Sequence, residues 1–245
     1  MGYDYLDFDK HFYSTLLSVF LIRFVMATTF GELNYHPDQN WQGLEIAYRI
    51  AYGDEVENIL SWEWQDRYTL RSSLYPYFLS IPLHILKFLK IDYNILVVNS
   101  MLFMNTLIIV VGDYFLYQLS KIYLGKRGAS LTLLYTLFNF RINQIFLKTL
   151  TNGVESVFCT IGFYYFSILK PKLDWSMVMM TFSITVAFIV RSSSLIGFIP
   201  LALFKIFQSW DYFVAVLQSG VVVALPTIAF SILCDSLYYG KWTCP

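Results

Sequence analysis

Long apolar stretches separated by short polar ones account for most of this chain. The first covers residues 11–30 and contains one charge, Arg23. The others cover residues 73–88, 93–119, 129–147, 154–168, 175–207 and 212–233. A helix needs roughly 20 mostly apolar residues to cross the hydrocarbon core of a bilayer. The pattern therefore predicts an all-α integral membrane protein, a polytopic helical bundle with roughly six to eight crossings.

Two of these segments leave alternatives open. The first could be a secretory signal peptide, although such a peptide has a shorter apolar region that follows basic residues and precedes a small-residue cleavage site. The segment 175–207 is interrupted by Arg191 and by three serines at 192–194. It is compatible with one tilted helix, a broken helix or a tight hairpin.

The only long polar interval, residues 31–72, holds eight acidic residues against Arg49, Arg67 and Arg71, a net charge of −5. Cytoplasmic loops carry an excess of Lys and Arg, so we place this loop outside the cytosol. The turn with Lys87 and Lys90 would then be cytoplasmic. One crossing later, the basic residues 121, 126 and 127 would lie outside the cytosol, which requires a re-entrant segment or an exception to the charge rule.

Within this loop the sequence predicts a helix along the membrane surface. Its apolar positions share one helical face: Leu44, Ala47, Tyr48 and Ala51. Pro37 and Asp38 are typical of the first turn of such a helix. The simplest interpretation is an interfacial anchor without chemistry.

The composition supports the membrane assignment and excludes several functions. The chain is 57% hydrophobic and 14% charged, whereas soluble domains are about one quarter charged. Its formal net charge is zero, so it lacks the basic excess of nucleic-acid-binding proteins. Cys159, Cys234 and Cys244 share no metal-ligand spacing, and nucleotide-loop, zinc-protease and serine-nucleophile motifs are absent. We predict no nucleic-acid partner, no metal site and no cofactor.

A candidate site begins directly after the first apolar segment, in the run 36–45. A carboxylate close to low-dielectric surroundings has a raised pKa, which suits a general base that takes a proton from a hydroxyl. Asp38 is the better candidate, with helix capping as its alternative role. Glu45 has an alternative as well, an i,i+4 ion pair with Arg49.

Other polar residues near the predicted boundaries also suggest binding. Trp62, Glu63 and Trp64 suit either an aromatic belt or the face of a sugar ring. Arg71 suits either a lipid-linked phosphate or the lipid headgroups. Arginine within a crossing is costly and usually faces a protein or aqueous interior, so Arg23 and Arg191 are functional candidates. Their alternative is pairing with a buried acid, such as Asp113 or Glu155.

Several motifs together resemble the dolichol-phosphate-mannose-dependent mannosyltransferases, and within them the branch that adds the third mannose of the GPI anchor. The resemblance covers nearly the whole chain. In the loop it rests on His36-Pro37-Asp38, Trp41-Gln42, Leu44-Glu45, Trp62-Glu63-Trp64, Arg71-Ser72 and Tyr75-Pro76. Later blocks are 149–152 with Glu155, 187–191 and 235–243.

The resemblance implies a C-type glycosyltransferase fold in the endoplasmic reticulum membrane, with the loop 31–72 as a luminal catalytic segment. The implied reaction transfers mannose, with inversion, from dolichyl phosphate mannose to a GPI-precursor glycolipid in an alpha-1,2 linkage. Asp38 would be the general base. The implied substrate-binding residues are Gln39, Trp41, Gln42, Glu45, Trp62, Glu63, Trp64, Arg71 and Arg191.

The chain departs from the family pattern at three points. Gln39 replaces a second acid, and Ser192 replaces a proline after Arg191. Family members are also longer, so residues 1–245 are expected to be a single polytopic domain from the N-terminal half of a longer parent, and activity of the truncated chain is not assumed. The alternatives are a mannosyltransferase of N-glycan precursor assembly and a non-catalytic polytopic protein, either a transporter or an inactive subunit.

Overall fold

The computed structural model describes residues 7–30, 37–53, 60–65 and 67–243. His36 and Cys244 lie outside these ranges. Every regular element within the described ranges is helical, which confirms the all-α class. The helices are α1 (Phe12–Phe30), α2 (Pro37–Gln39), α3 (Glu45–Tyr52), α4 (Leu74–Leu89), α5 (Asn94–Phe138), α6 (Phe140–Phe146), α7 (Thr151–Ser167), α8 (Trp175–Val190), α9 (Leu195–Gln208), α10 (Trp210–Ser219) and α11 (Leu225–Tyr239).

Short irregular turns join some of these helices. A π-helical turn, Asn40–Leu44, links α2 to α3, and another, Gly220–Ala224, links α10 to α11. Helix α5 is interrupted at Gly125, whose φ of +70° lies in the left-handed region that favours glycine. Its two halves pack against each other, because Tyr117 and Leu133 share one buried cluster.

Side-chain contacts identify the two ends of the helical bundle. Lys121 forms a 2.6 Å ion pair with Asp9, just before α1, and Tyr123 bonds Ser167 at the end of α7. We call this the basic end. At the other end, which we call the loop end, α3 contacts the end of α4, where Lys87 Nζ donates to the Ala51 carbonyl at 2.8 Å.

Within the ranges that the structure describes, three helices are long and apolar enough to cross a membrane by length and composition: Phe12–Thr29 within α1, Asn94–Phe138, and Trp210–Tyr239. Following the contacts through the described residues, the chain passes between the two ends seven times, along α1, 94–124, 126–146, α7, α8, α9 and 210–239. This number lies within the predicted range.

Helix α4 corrects the sequence-based topology, because both of its ends lie at the loop end. Ser73, immediately before α4, donates through its hydroxyl to Asp235 near the end of α11 at 2.7 Å. Lys87, near the end of α4, contacts Ala51 of α3. The segment 73–88 is therefore not a crossing. The placement of Lys87 on the side opposite the loop is wrong. The basic residues 121, 126 and 127 lie at the opposite end, as the charge rule requires.

The interrupted segment 175–207 is a tight hairpin. At Arg191 the backbone is extended, with φ −153° and ψ 116°, and a short 3-10 turn, Ser192–Ser194, leads into α9. Ser193 bonds Glu155 near the start of α7, whereas Lys205 packs over Phe166 near its end. Helix α9 therefore runs back towards the basic end, alongside α7.

A buried ion pair holds the first two crossings together. The Arg23 guanidinium donates to both carboxylate oxygens of Asp113 on α5, at 2.9 and 2.8 Å, and also to Asn143. Arg23 is 1% exposed and Asp113 is 3% exposed. Pairing with a buried acid, the alternative role of Arg23, is therefore confirmed.

Candidate functional site

Two threonines around the start of α7 contact α2 and the π-helical turn that links it to α3. Thr149 Oγ1 donates to the Gln39 carbonyl at 3.2 Å, and Thr151 Oγ1 donates to Gln42 Oε1 at 3.2 Å. A Cβ on Gly43 would come within 2.8 Å of the Thr149 carbonyl oxygen, so glycine is required for this close approach. The loop is thus anchored on the bundle at one defined place.

The predicted amphipathic helix is confirmed, but it is more than a surface anchor. Ala47 and Ala51 are buried in the cluster that includes Leu79 of α4. Ile46 is also buried, in a second cluster with Trp64 and Tyr239. The helix is therefore held by protein on two sides, which fixes Asp38 relative to the rest of the loop end.

A charged cavity of about 380 Å³ lies beside this helix at the loop end. Side chains from three parts of the chain line it: Glu63, Leu70, Arg71, Ser72, Phe188, Ile189, Val190, Arg191, Ser192, Ser193, Ile228, Ser231, Ile232 and Asp235. The cavity thus brings together three predicted site residues, Glu63, Arg71 and Arg191. Helix α8 supplies an apolar part of the wall, whereas α11 supplies both apolar and polar residues, including Asp235.

Arg71 is held on both sides within this cavity. Its Nε and Nη2 donate to the two carboxylate oxygens of Glu63 at 3.2 and 2.9 Å, and its Nη1 lies 3.5 Å from Thr151 Oγ1. Both members of the ion pair are about one fifth exposed, 21% and 20%. The guanidinium is therefore positioned while one side of it still faces the cavity.

Arg191 is also held by a carboxylate and by a residue in the first turn of α7. Its Nε lies 3.3 Å from a carboxylate oxygen of Glu155, and its Nη1 bonds the Asn152 side chain. Ser193 Oγ donates to the other oxygen of Glu155 at 3.1 Å. The alternative role of Arg191, pairing with Glu155, is confirmed, and Arg191 nevertheless lines the cavity.

Asp235 is a lining residue that the sequence-based list of site residues did not contain. It is 1% exposed, and its Oδ1 accepts from the Ser73 backbone N–H at 2.6 Å, the Ser73 hydroxyl at 2.7 Å and the Ser72 hydroxyl at 3.2 Å. A further bond comes from Ser231 at 3.3 Å. Two sequence signals point to it: it begins the family block 235–243, and it is an acid at the end of an apolar segment, which is a costly place for a charge.

Asp38 lies in the first turn of α2 and is half-buried, as predicted for a residue that begins a helix. It is not among the residues that line the cavity. From α2 the contacts lead to the cavity through Gln42 and Thr151, which reaches Arg71. Side-chain contacts therefore link the turn that follows Asp38 to one of the two cavity arginines, Arg71.

Glu45 lies at the start of α3 and is half-buried. Burial raises the pKa of its carboxyl group. Within the part of the chain that the structure describes, Glu45 and Arg49 form no ion pair, so that alternative is wrong. Neither Glu45 nor Trp41, which is 45% exposed, lines the cavity.

The two loop tryptophans have different environments. Trp62 is 58% exposed and available to a ligand. Trp64 is 1% exposed, and its ring contacts Tyr238 and Tyr239 at centroid distances of 5.5 and 6.4 Å. The sequence predicted that Trp64 binds substrate, but its buried side chain packs within the protein instead. Its indole attaches the loop to the end of α11.

Comparison with known proteins supports a specific family. The sequence profile of the Alg9-like mannosyltransferase family matches residues 14–245. The Bos taurus protein GPI alpha-1,2-mannosyltransferase 3 is 26% identical over 231 residues, covering 92% of this chain and 42% of that protein. Candida albicans GPI mannosyltransferase 3 is 27% identical over 239 residues, covering 95% and 47%.

A plant relative extends the comparison. The Arabidopsis thaliana protein Mannosyltransferase APTG1 is 24% identical over 215 residues, covering 85% of this chain and 38% of that protein. The chain thus spans less than half the length of each of these relatives. No solved structure matches it.

Proposed function

Because this chain belongs to the Alg9-like mannosyltransferase family, we propose that the full-length protein transfers mannose from dolichyl phosphate mannose to a GPI-anchor precursor. The product would carry the third, alpha-1,2-linked mannose, and the reaction would take place on the luminal side of the endoplasmic reticulum membrane. Support comes from the relatives named GPI alpha-1,2-mannosyltransferase 3. The structural observation that carries the proposal is the charged cavity beside the helix that bears Asp38.

The two cavity arginines suit the phosphate of a lipid-linked donor. A guanidinium group matches phosphate oxygens in a bidentate manner and keeps its charge at any physiological pH. Arg71 and Arg191 both line the cavity, and each is oriented by a carboxylate, Glu63 and Glu155 respectively. Lipid phosphates lie at the membrane boundary, which is where the loop meets the ends of the crossings.

In the proposed reaction, the acceptor hydroxyl attacks the anomeric carbon of the donor mannose from the face opposite the phosphate. A new C–O bond forms while the bond from the anomeric carbon to the phosphate oxygen breaks. The phosphate leaves with the electron pair and is already ionised, so it needs no acid. Asp38 takes the proton of the hydroxyl, which lowers the barrier to attack. The configuration at the anomeric carbon is inverted.

The loop 31–72 would act as the catalytic segment, because the bundle fixes its position. Thr149 and Thr151 hold the turns that follow Asp38, and Glu63 and Arg71 bring the same loop to the cavity wall. An acceptor bound along α2 would place its hydroxyl near Asp38, with the donor phosphate in the cavity. Exposed Trp41 and Trp62 would supply apolar faces for the sugars.

The test is complementation of cells that lack the third-mannose step, with surface GPI-anchored protein as the readout and the full-length parent as the wild type. Asp38→Asn preserves the shape of the side chain, and we expect it to lower activity by about 10² to 10⁴-fold. Asp211→Asn is the matched control, because Asp211 is an exposed carboxylate at the basic end. Equal rescue by wild type and Asp38→Asn would refute the assigned base.

A second cell line distinguishes the runner-up substrate. Cells that lack a mannosyltransferase of N-glycan precursor assembly should not be rescued by the full-length parent. Rescue of those cells without rescue of the GPI-deficient cells would move the assignment to N-glycan assembly. Expressing residues 1–245 beside the parent then shows whether the described bundle is active by itself.

A further inference from the structure

A second cavity extends along α9 from Leu195 to Lys205, and Lys205 lies towards the basic end. It has a volume of about 200 Å³ and lies between α8, α9 and α10, next to the end of α7. Its walls are mostly aliphatic and aromatic, including Met180, Ile184 and Phe198. The two cavities share no lining residue.

The few polar groups in the wall of this groove are paired with each other. Thr181 Oγ1 and Ser219 Oγ are 2.9 Å apart, and the Thr185 hydroxyl donates to the Thr181 carbonyl at 2.7 Å. Because these groups are satisfied, the interior offers a ligand mainly apolar contact. Ile199 belongs to the lining and is 52% exposed, so the groove opens on the outer, apolar surface of α9. This shape and chemistry suit a hydrocarbon chain.

A single cation lines the groove. The Lys205 ammonium lies 5.3 Å from the Phe166 ring centroid and 5.0 Å from that of Tyr212. Among residues 7–30, 37–53, 60–65 and 67–243, no carboxylate lies within ion-pair distance of Lys205. An apolar groove that contains an ammonium group without a carboxylate partner is complementary to a molecule with a hydrocarbon chain and an anionic head.

The position of Lys205 in the bundle indicates which leaflet supplies this molecule. Lys205 lies three residues before the end of α9, at the end that also carries Lys121, Lys126 and Arg127. By the charge rule this is the cytoplasmic side. Anionic lipids are concentrated in the cytoplasmic leaflet, where one lysine contributes about 1 kcal/mol of attraction.

We propose that the groove binds an anionic phospholipid, with its phosphate at Lys205 and one acyl chain between α8, α9 and α10. The head-group position at Lys205 is at the opposite end of α9 from the cavity assigned to the donor phosphate, and the proposal does not depend on the proposed reaction. It would join the α8–α9 hairpin to the helix 210–239 through a lipid.

Two glycines allow the acyl site to be tested separately from the head-group site. Gly220 lines the groove, and a Cβ there would meet no atom within 4 Å. Gly220→Phe therefore places a ring in the groove without a clash at the Cβ. Gly197→Phe is the matched control, because Gly197 lies on α9, has the same open surroundings, and is not part of the lining.

The experiment uses the full-length parent reconstituted in phosphatidylcholine vesicles. A photoactivatable phosphatidylserine with the reactive group on its acyl chain is compared with the same probe on phosphatidylcholine. We expect preferential labelling by the anionic probe, on α8 to α10. Lys205→Gln should reduce the labelling by about fivefold, the equivalent of about 1 kcal/mol, and Gly220→Phe should abolish it with either head group.

Two controls should keep wild-type labelling. These are Gly197→Phe and Lys172→Gln, the latter an exposed lysine at the same end beside Asp174. The proposal is overturned if both probes label equally, or if Gly220→Phe leaves labelling unchanged. It is also overturned if cysteine crosslinking shows that a later segment of the parent fills the groove.

Discussion

The ion pair between Arg23 and Asp113 allows the packing of the first two crossings to be tested quantitatively. Both side chains are almost completely buried, 1% and 3% exposed, and two hydrogen bonds of 2.9 and 2.8 Å join them. Asn143 supplies a third acceptor for the guanidinium. Because both groups are shielded from solvent, the loss of one partner leaves the other without compensation.

Removing one partner of a buried pair costs about 3 to 5 kcal/mol, whereas replacing both by apolar residues of similar size is often neutral or stabilising. We therefore expect Arg23→Met and Asp113→Leu each to destabilise the protein by about 3 to 5 kcal/mol. The double variant should lose much less than the sum of the two. Its coupling energy should exceed about 2 kcal/mol, at the upper part of the range for residues in contact.

The measurement is a double-mutant cycle on the purified protein, with reversible unfolding in mixed detergent micelles. The pair between Lys121 and Asp9 is the matched control, because its members are 32% and 24% exposed. Its coupling energy should be below about 1 kcal/mol. Additive losses at Arg23 and Asp113, or single losses below about 1 kcal/mol, would refute the reasoning.

Three further predictions concern the loop end and the basic end. Gly43→Ala should cost about 1 to 3 kcal/mol, because the new Cβ meets a backbone oxygen at 2.8 Å; Gly197→Ala should cost nothing in the same thermal unfolding assay. Asp235→Ala should lower both stability and activity of the parent, because it orphans the buried Ser73 N–H; full activity would contradict a role at the cavity. Asp174→Ala should cost about 1 kcal/mol, since Asp174 caps α8 through the Met177 N–H. Hydrogen bonding from Ser176 lowers the pKa of Asp174, so this difference should hold above the ordinary carboxyl pKa and vanish as the pH falls through the lowered value. A difference that grows in acid would refute it.

Hydropathy predicted the membrane class and most of the crossings, because the cost of placing a segment in lipid depends mainly on its own composition. The same argument failed for α4. One face of this 16-residue helix is buried against α3 and the start of α5, in the cluster around Leu79 and Leu83, while Ile81, Ile85 and Phe88 on its other side are exposed. Composition does not distinguish burial by protein from burial by lipid. Only the contacts at both ends of α4 show that it does not cross.

In the candidate site, contacts between residues close in sequence could be predicted, whereas contacts between distant residues could not. The pairing of Arg71 with Glu63 joins residues eight positions apart, in two neighbouring motifs of the same loop. Asp235 reaches Ser73 across 162 positions, and no local pattern indicates that contact. Trp62 and Trp64 have nearly identical sequence surroundings, yet one is exposed and the other is buried. The tertiary contact with Tyr239 decides the difference.

The break in the helix at Arg191 is explained by the length of α8 and by the surroundings of the non-helical backbone. Helix α8 has 16 residues, a rise of about 24 Å at 1.5 Å per residue, which is shorter than the roughly 30 Å hydrocarbon core. Extended backbone at that depth is tolerated only where it is buried in protein or lines a water-filled cavity. Arg191 and the serines that follow it line the charged cavity. The break therefore requires a cavity of this kind and supplies it with Arg191, so a continuous helix through this position would remove both the turn and this arginine from the cavity.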